Sequence, residues 1–180
     1  PEIEITAVAD IKPDRLEWAK EQLPEVKTFD SASALMDSGE VDAILIATPH
    51  YDHPVLAIEG LEKGLHVMSE KPAGVFTKKV REMNAVADKS DKIFGIMFNQ
   101  RTNPLFIRAR EEVKSGRLGE LIRATWIITN WYRTQDYYDS GDWRATWAGE
   151  GGGVLYNQAP HNLDLFQWIT GMMPSKLRAF

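Results

Sequence analysis

The stretch Leu65-His66-Val67-Met68-Ser69-Glu70-Lys71-Pro72 decides how this chain folds. An apolar run this short, bounded by turn residues, reads as a buried strand, and Pro72, which cannot donate to a ladder, stops it. Just upstream, a helical pattern from about Pro54 to Lys63 closes at Gly64. Strand follows helix, so Glu70 and Lys71 fall at the carboxyl end of a strand, where open parallel sheets bind their ligands.

The same alternation extends outward in both directions. Upstream lie a strand from Ile3 to Ala9 ending at Asp10, a helix from Pro13 to Leu23 and a short strand at Val26 to Phe29. A helix capped by Asp30 or Ser31 and stopping at Gly39 comes next, then the clearest buried strand, Val41 to Ala47, ended by Thr48-Pro49. Downstream, Thr77 caps a helix running to about Lys89, and Lys92 to Phe98 is another strand. Strands and helices alternating at this length predict right-handed crossovers and a Rossmann-type, doubly wound parallel sheet over residues 1–100.

The pattern changes after residue 100. A helix from Asn103 to Ser115 ends at Gly116, and Leu121 to Trp131 alternates as an antiparallel strand does. Tyr132 to Glu150 reads as a long aromatic loop, Asn157 to Ile169 as a helix closed by Gly171, and a final strand is expected after Pro174. Residues 101–180 are therefore expected to begin a second domain with antiparallel strands.

Composition narrows the partners. The 180 residues carry 21 basic and 26 acidic side chains and show no basic stripe, which argues against nucleic acid. Zero cysteines exclude a disulfide framework and agree with a reducing, cytoplasmic setting. No apolar run approaches the roughly 20 residues that span a bilayer. His50 and His53 stand three apart without a third ligand, so no metal is expected.

Asp10 ends a strand where a dinucleotide-binding sheet places the acid that accepts from the ribose hydroxyls. That carboxylate would repel a 2′-phosphate, which favours NAD over NADP, although an acid that ends a strand and starts a turn is also common. No strand with a G-x-G-x-x-G turn precedes it. The expectation is an internal piece of a longer chain, or a chain numbered from a truncated start, with the pyrophosphate cradle outside it.

Four motifs in order, Thr48-Pro49-His50-Tyr51-Asp52-His53, Glu70-Lys71-Pro72, Trp143-Arg144 and Gly151-Gly152-Gly153 through His161, resemble those of the Gfo/Idh/MocA family of glucose-fructose oxidoreductase and inositol dehydrogenase type. The resemblance spans almost the whole chain. It implies an N-terminal dinucleotide-binding domain, a C-terminal α/β domain with an open sheet that serves substrate binding and self-association, substrate between them, and a homo-oligomer, dimer or tetramer. It further implies Arg15 near the adenine, Thr48, Pro49, His50 and His53 along the pyrophosphate and nicotinamide ribose, Glu70 on that ribose, and Asn99, Trp143 and Arg144 near the nicotinamide.

Oxidising a secondary alcohol requires a nicotinamide against the carbinol carbon, a donor to the reacting oxygen and an acceptor for its proton. Lys71 suits the first protein role and also touches the cofactor in this scheme, and His161 suits the second. A lysine in a turn is ordinarily a solvated surface residue, and a histidine in a helix is often packing. The motif context favours chemistry for both. Family members commonly carry an aspartate four residues before this histidine; here it is Asn157, which can orient substrate or cap the helix but cannot act as a base. Asp164 is then expected to help orient the imidazole.

The expected activity is an NAD-dependent oxidoreduction of a sugar, cyclitol or related polyol. An NAD-using lyase or glycosidase with internal cofactor recycling, and a catalytically silent sugar or dinucleotide sensor, are the alternatives. Trp126, Trp131, Tyr132, Tyr137, Tyr138, Trp143 and Trp147 could line a carbohydrate pocket or an oligomer interface.

Overall fold

Five short strands, each parallel to its neighbour, organise the first of two units, Pro1–Ile96 and Met97–Phe180, in a computed structural model that describes residues 3–129 and 132–178. β1 (Ala7–Ala9) pairs with β2 (Lys27–Phe29), while β3 (Ala43–Ile46), β4 (His66–Ser69) and β5 (Phe94–Ile96) form a second ladder in that order. The doubly wound sheet is thus present as two parallel ladders. β1 bonds only β2 and β3 bonds only β4 among the described residues, which leaves one edge of each without a ladder partner.

Helices α1 (Pro13–Gln22), α2 (Ala32–Asp37), α3 (His53–Glu62) and α4 (Thr77–Ala87) supply the crossovers. Ser31 caps α2, its Oγ accepting from the Ala34 amide. Thr77, expected as a cap, is instead the first helical residue, and Phe76 holds the capping position without a side-chain bond. The core lies between α3, α4 and the second ladder and comprises Ile46, Ala57, Leu61, Val67 and Met83, with Ala57 and Met83 fully buried. α3 approaches the ladder closely because Gly60 has no side chain: a Cβ there would meet Ile44 Cδ1 at 2.7 Å and Val67 Cγ2 at 3.0 Å.

The second unit is built mainly from helices. A 3₁₀ turn at Asn99–Thr102 leads into α5 (Pro104–Lys114), whose N-cap Asn103 accepts from the Leu105 amide. α6 (Gln135–Asp139), α7 (Trp147–Glu150) and α8 (Val154–Asn157) are short, and α9 (Pro160–Thr170) packs against α5. Trp126 contacts both long helices, with its ring 5.9 Å from Phe106 and 6.5 Å from Phe166.

Three expectations are corrected here. The alternating segment 121–129 carries no strand assignment, because an alternating strand is stable only beside a partner and none pairs with it among the described residues; Trp131 lies outside them. No strand follows Pro174 within residues 175–178. The single helix expected from Asn157 breaks at Gln158-Ala159: Pro160 has no N–H and its ring blocks the preceding turn, so it ends α8 and starts α9 at its first position. Among the described residues, no helix is long and apolar enough to cross a membrane.

Candidate active site

In the first unit the carboxyl ends of β3 and β4 run into two loops, Ala47–Asp52 and Glu70–Phe76, and one side chain fastens them together. His53, 1% exposed at the start of α3, places Nδ1 2.7 Å from the Pro72 carbonyl and Nε2 2.8 Å from the Thr48 carbonyl. Pro54 sits beside it and Gly74 makes room, since a Cβ on Gly74 would come within 2.5 Å of the proline ring. The Lys71–Pro72 peptide is cis. His50, 3% exposed, lies with its ring centroid 5.9 Å from that of His53.

Glu70 begins the second loop. Its backbone N–H donates to Ile46 O at 2.8 Å, continuing the ladder one residue past β4, and its carboxylate accepts from the Lys71 amide at 3.1 Å. Ser69, fully buried, donates its hydroxyl to the Glu70 carbonyl. These bonds fix Glu70 and Lys71 at the carboxyl end of β4, both half-buried. The Thr48 hydroxyl oxygen is buried and has no hydrogen-bond partner among the described residues. A buried hydroxyl left so is costly, and it is available to a polar ligand group at this loop.

Asp10 closes the turn after β1, one carboxylate oxygen accepting from the Lys12 amide at 2.8 Å. Arg15 is exposed on α1, 3.9 Å from Asp14. Both lie in the first unit with Thr48, Pro49, His50, His53, Glu70 and Lys71. Asn99, Trp143, Arg144, Asn157 and His161 lie in the second unit.

There, Asn99 is exposed and its carbonyl accepts from the Thr102 hydroxyl. Trp143 and Arg144 are held by a compact turn: the Thr146 hydroxyl donates to the Trp143 carbonyl at 2.8 Å and accepts from the Gly149 amide at 2.9 Å. Gly149 packs directly on this turn; a Cβ would stand 2.2 Å from the Trp143 carbonyl oxygen. The Arg144 guanidinium stacks on Trp143 at 4.6 Å and on Tyr137 at 4.5 Å, and donates to the Tyr137 hydroxyl at 2.9 Å.

Tyr137 links this turn to Asn157, whose Nδ2 donates to the tyrosine oxygen at 3.3 Å and to Glu150 Oε1 at 2.5 Å. His161 stands edge-on to Phe98, with centroids 6.2 Å apart. Asp164, expected to orient that imidazole, gives both oxygens to Arg101, which donates through Nε at 2.8 Å and Nη2 at 2.5 Å. This bidentate bond pushes the already cationic Arg101 further above its ordinary range. Among the described residues no three acids and histidines cluster as a metal site.

Glu150 and Arg101 are site-forming residues that the sequence did not single out, and Tyr137 was named there only as one of a group of aromatics. Glu150 carries a weak signal, an acid directly before three glycines. Tyr137 stood among seven aromatics with nothing to single it out, and Arg101 meets its partner 63 residues away.

A family model described as "Oxidoreductase family, NAD-binding Rossmann fold" matches residues 1–98, and one described as "GFO/IDH/MocA C-terminal domain" matches residues 106–180. The rhizopine catabolism protein MocA of Rhizobium meliloti is 30% identical over 98% of this chain and 52% of its own length. The WlbA dehydrogenase of Bordetella pertussis, solved in complex with NADH and UDP-GlcNAcA, matches with a TM-score of 0.82 at 30% identity, over 92% of this chain and 47% of that one. A myo-inositol 2-dehydrogenase from Lactobacillus plantarum gives 0.75 at 25% identity, over 94% of this chain and 49% of its own. The chain spans about half the length of these relatives.

Proposed function

The chain belongs to the GFO/IDH/MocA oxidoreductase family, and on that premise we propose that the protein it forms part of oxidises a secondary alcohol of a sugar, cyclitol or related polyol with NAD. The observation that carries this reading is the His53 fastening, which holds the Thr48 loop and the Glu70-Lys71-Pro72 loop together at the carboxyl ends of two parallel strands. Ligands of such sheets bind at that edge.

The residues fit a dinucleotide. The buried Thr48 hydroxyl is a ready partner for a polar group, Glu70 offers a carboxylate to ribose hydroxyls, and Asp10 keeps one oxygen outside its turn bond. Asp10 also favours NAD over NADP by charge. Pro49 and His50 shape the first loop, and His53 acts through the two loops it ties. Arg15, Asn99, Trp143 and Arg144 complete the proposed cofactor contacts. When bound, nicotinamide supplies the hydride acceptor.

The chain's own groups handle the proton. Lys71 donates a hydrogen bond to the reacting oxygen and stabilises the charge that develops there. His161 accepts the hydroxyl proton. Asn157 orients substrate hydroxyls and takes no proton. The proposal extends to a cytoplasmic setting and, as the family resemblance implies, to a homo-oligomer.

The test is formation of reduced nicotinamide by the full-length protein across a panel of sugars and polyols, beside Lys71→Ala. Turnover with at least one polyol, falling roughly 100-fold or more in the variant, is expected. Equal rates in both proteins would remove Lys71 from the chemistry.

A further inference from the structure

Asp164 stands three residues after His161 on α9, the spacing that makes side chains neighbours on one helical face. A carboxylate released beside an imidazole favours its cationic form. Here both Asp164 oxygens accept from Arg101, at 2.8 Å from Nε and 2.5 Å from Nη2, and among the described residues no other group bonds them. The Asp164 side chain is 11% exposed, so the pairing is made largely away from water. Arg101 is held in turn, its guanidinium 5.5 Å over the Phe98 ring and 5.9 Å over that of Trp168. His161 meets the same Phe98 ring edge-on at 6.2 Å. Other charges on the neighbouring elements are few. Asp164 is the one carboxylate of α9, and Arg101 the one charged side chain of the 3₁₀ turn. α8 adds only Tyr156 as a titratable group. On α5, Arg108 pairs with Glu111 and Glu112, Arg110 lies 4.3 Å over Trp168, and Lys114 falls in the last turn. The segment that brings Trp126 to Phe166 contributes Arg123, which is exposed.

We propose that Arg101 is a positioning residue that decides the partner of Asp164: by occupying both carboxylate oxygens it keeps Asp164 off His161 and leaves the imidazole to the proton of the substrate. The kinetic part of this proposal rests on the dehydrogenase reading, in which His161 is the proton acceptor. The choice of partner does not. A histidine accepts a proton only as the neutral ring. Without Arg101, the freed carboxylate stabilises the imidazolium, so the neutral acceptor is lost at a higher pH than in the parent. Activity then falls near neutrality and returns in alkaline solution, where the ring is neutral again. A merely structural loss lowers the rate at every pH.

Four full-length proteins test it: the parent, Arg101→Gln, Arg101→Lys, and Arg101→Gln combined with Asp164→Asn. The His161 ring titration, followed by ¹⁵N NMR and assigned by its loss in His161→Gln, is expected to move to higher pH in Arg101→Gln, whether or not the protein turns over. Adding Asp164→Asn is expected to return it towards the parent, because coupled neighbours are non-additive. Arg101→Lys keeps a cation on the carboxylate and is expected to move it less than Arg101→Gln does. Polyol oxidation by Arg101→Gln, read as kcat/KM, is expected to fall about three- to tenfold at pH 7 and to recover at pH 9. An unmoved titration in Arg101→Gln, a shift that survives Asp164→Asn, or equal losses of rate at pH 7 and pH 9 would each overturn the proposal. If the parent oxidises no polyol while the titration moves and returns as expected, the dehydrogenase reading fails and the choice of partner stands.

Discussion

The two units solve the same problem with different forces. In the first, strands and helices enclose apolar side chains: of the buried hydrophobic residues among those described, all but Leu165 belong to it. In the second, order comes from charge and aromatic contact: Arg101 with Asp164, Arg110 over Trp168 at 4.3 Å, and Arg144 with Tyr137 and Trp143, around a buried Glu150–Asn157 pair. Among its described residues, Ile122, Ile127 and Leu177 are each more than three-quarters exposed. Burial of apolar area acts without direction and tolerates sequence change, whereas a polar network depends on each atom having its partner. The first unit should therefore respond to lost volume and the second to lost geometry.

The largest expected effect is Met83→Ala. Met83 is fully buried at the centre of the first core, and its truncation should cost roughly 2–5 kcal/mol in urea unfolding followed on the first unit. A loss below about 1 kcal/mol would mean that the core collapses around the gap and is not what holds the unit together. Next is Gly149→Ala, where added volume does the harm: the new methyl meets the Trp143 carbonyl oxygen and must push α7 off its turn. Roughly 1–3 kcal/mol in thermal unfolding is expected, with a changed Trp143 fluorescence signal. An unaltered signal would show that the turn is not the rigid part of the second unit. Smallest is Arg101→Lys, which keeps the charge and loses the fork that meets both Asp164 oxygens. Because the arginine side chain is 44% exposed, solvent screening limits the loss to about 1 kcal/mol or less.

The same contrast explains what could be read from the chain. Strand β4 was legible because its signals are local: an apolar run with Gly64 before it and Pro72 after it. Helices α3 and α5 announce themselves by Pro54, Asn103 and the glycines that follow them. The alternation of Leu121 to Trp131 has the pattern of a strand, but a strand is completed by its neighbours, and none lies among the described residues. Pro160 was ambiguous by nature, since the first turn of one helix and the start of another both accommodate proline. Glu150 next to three glycines has the composition of a solvated loop, and only its contact with Asn157, across the turn at Gly151 to Gly153, reveals that it is buried. In the first unit, the His53 ring shows its role only when the Thr48 and Pro72 carbonyls are seen on either side of it.

Net hydride transfer to nicotinamide by the full-length protein can be followed in one labelling experiment. A polyol that supports turnover is deuterated at its carbinol carbon and incubated with NAD, and the nucleotide is recovered and weighed by mass spectrometry. Reduced nicotinamide carrying the deuterium is expected to accumulate. Bound nucleotide recovered as NAD with no deuterated reduced form accumulating, while the polyol is consumed or merely held, would contradict net transfer.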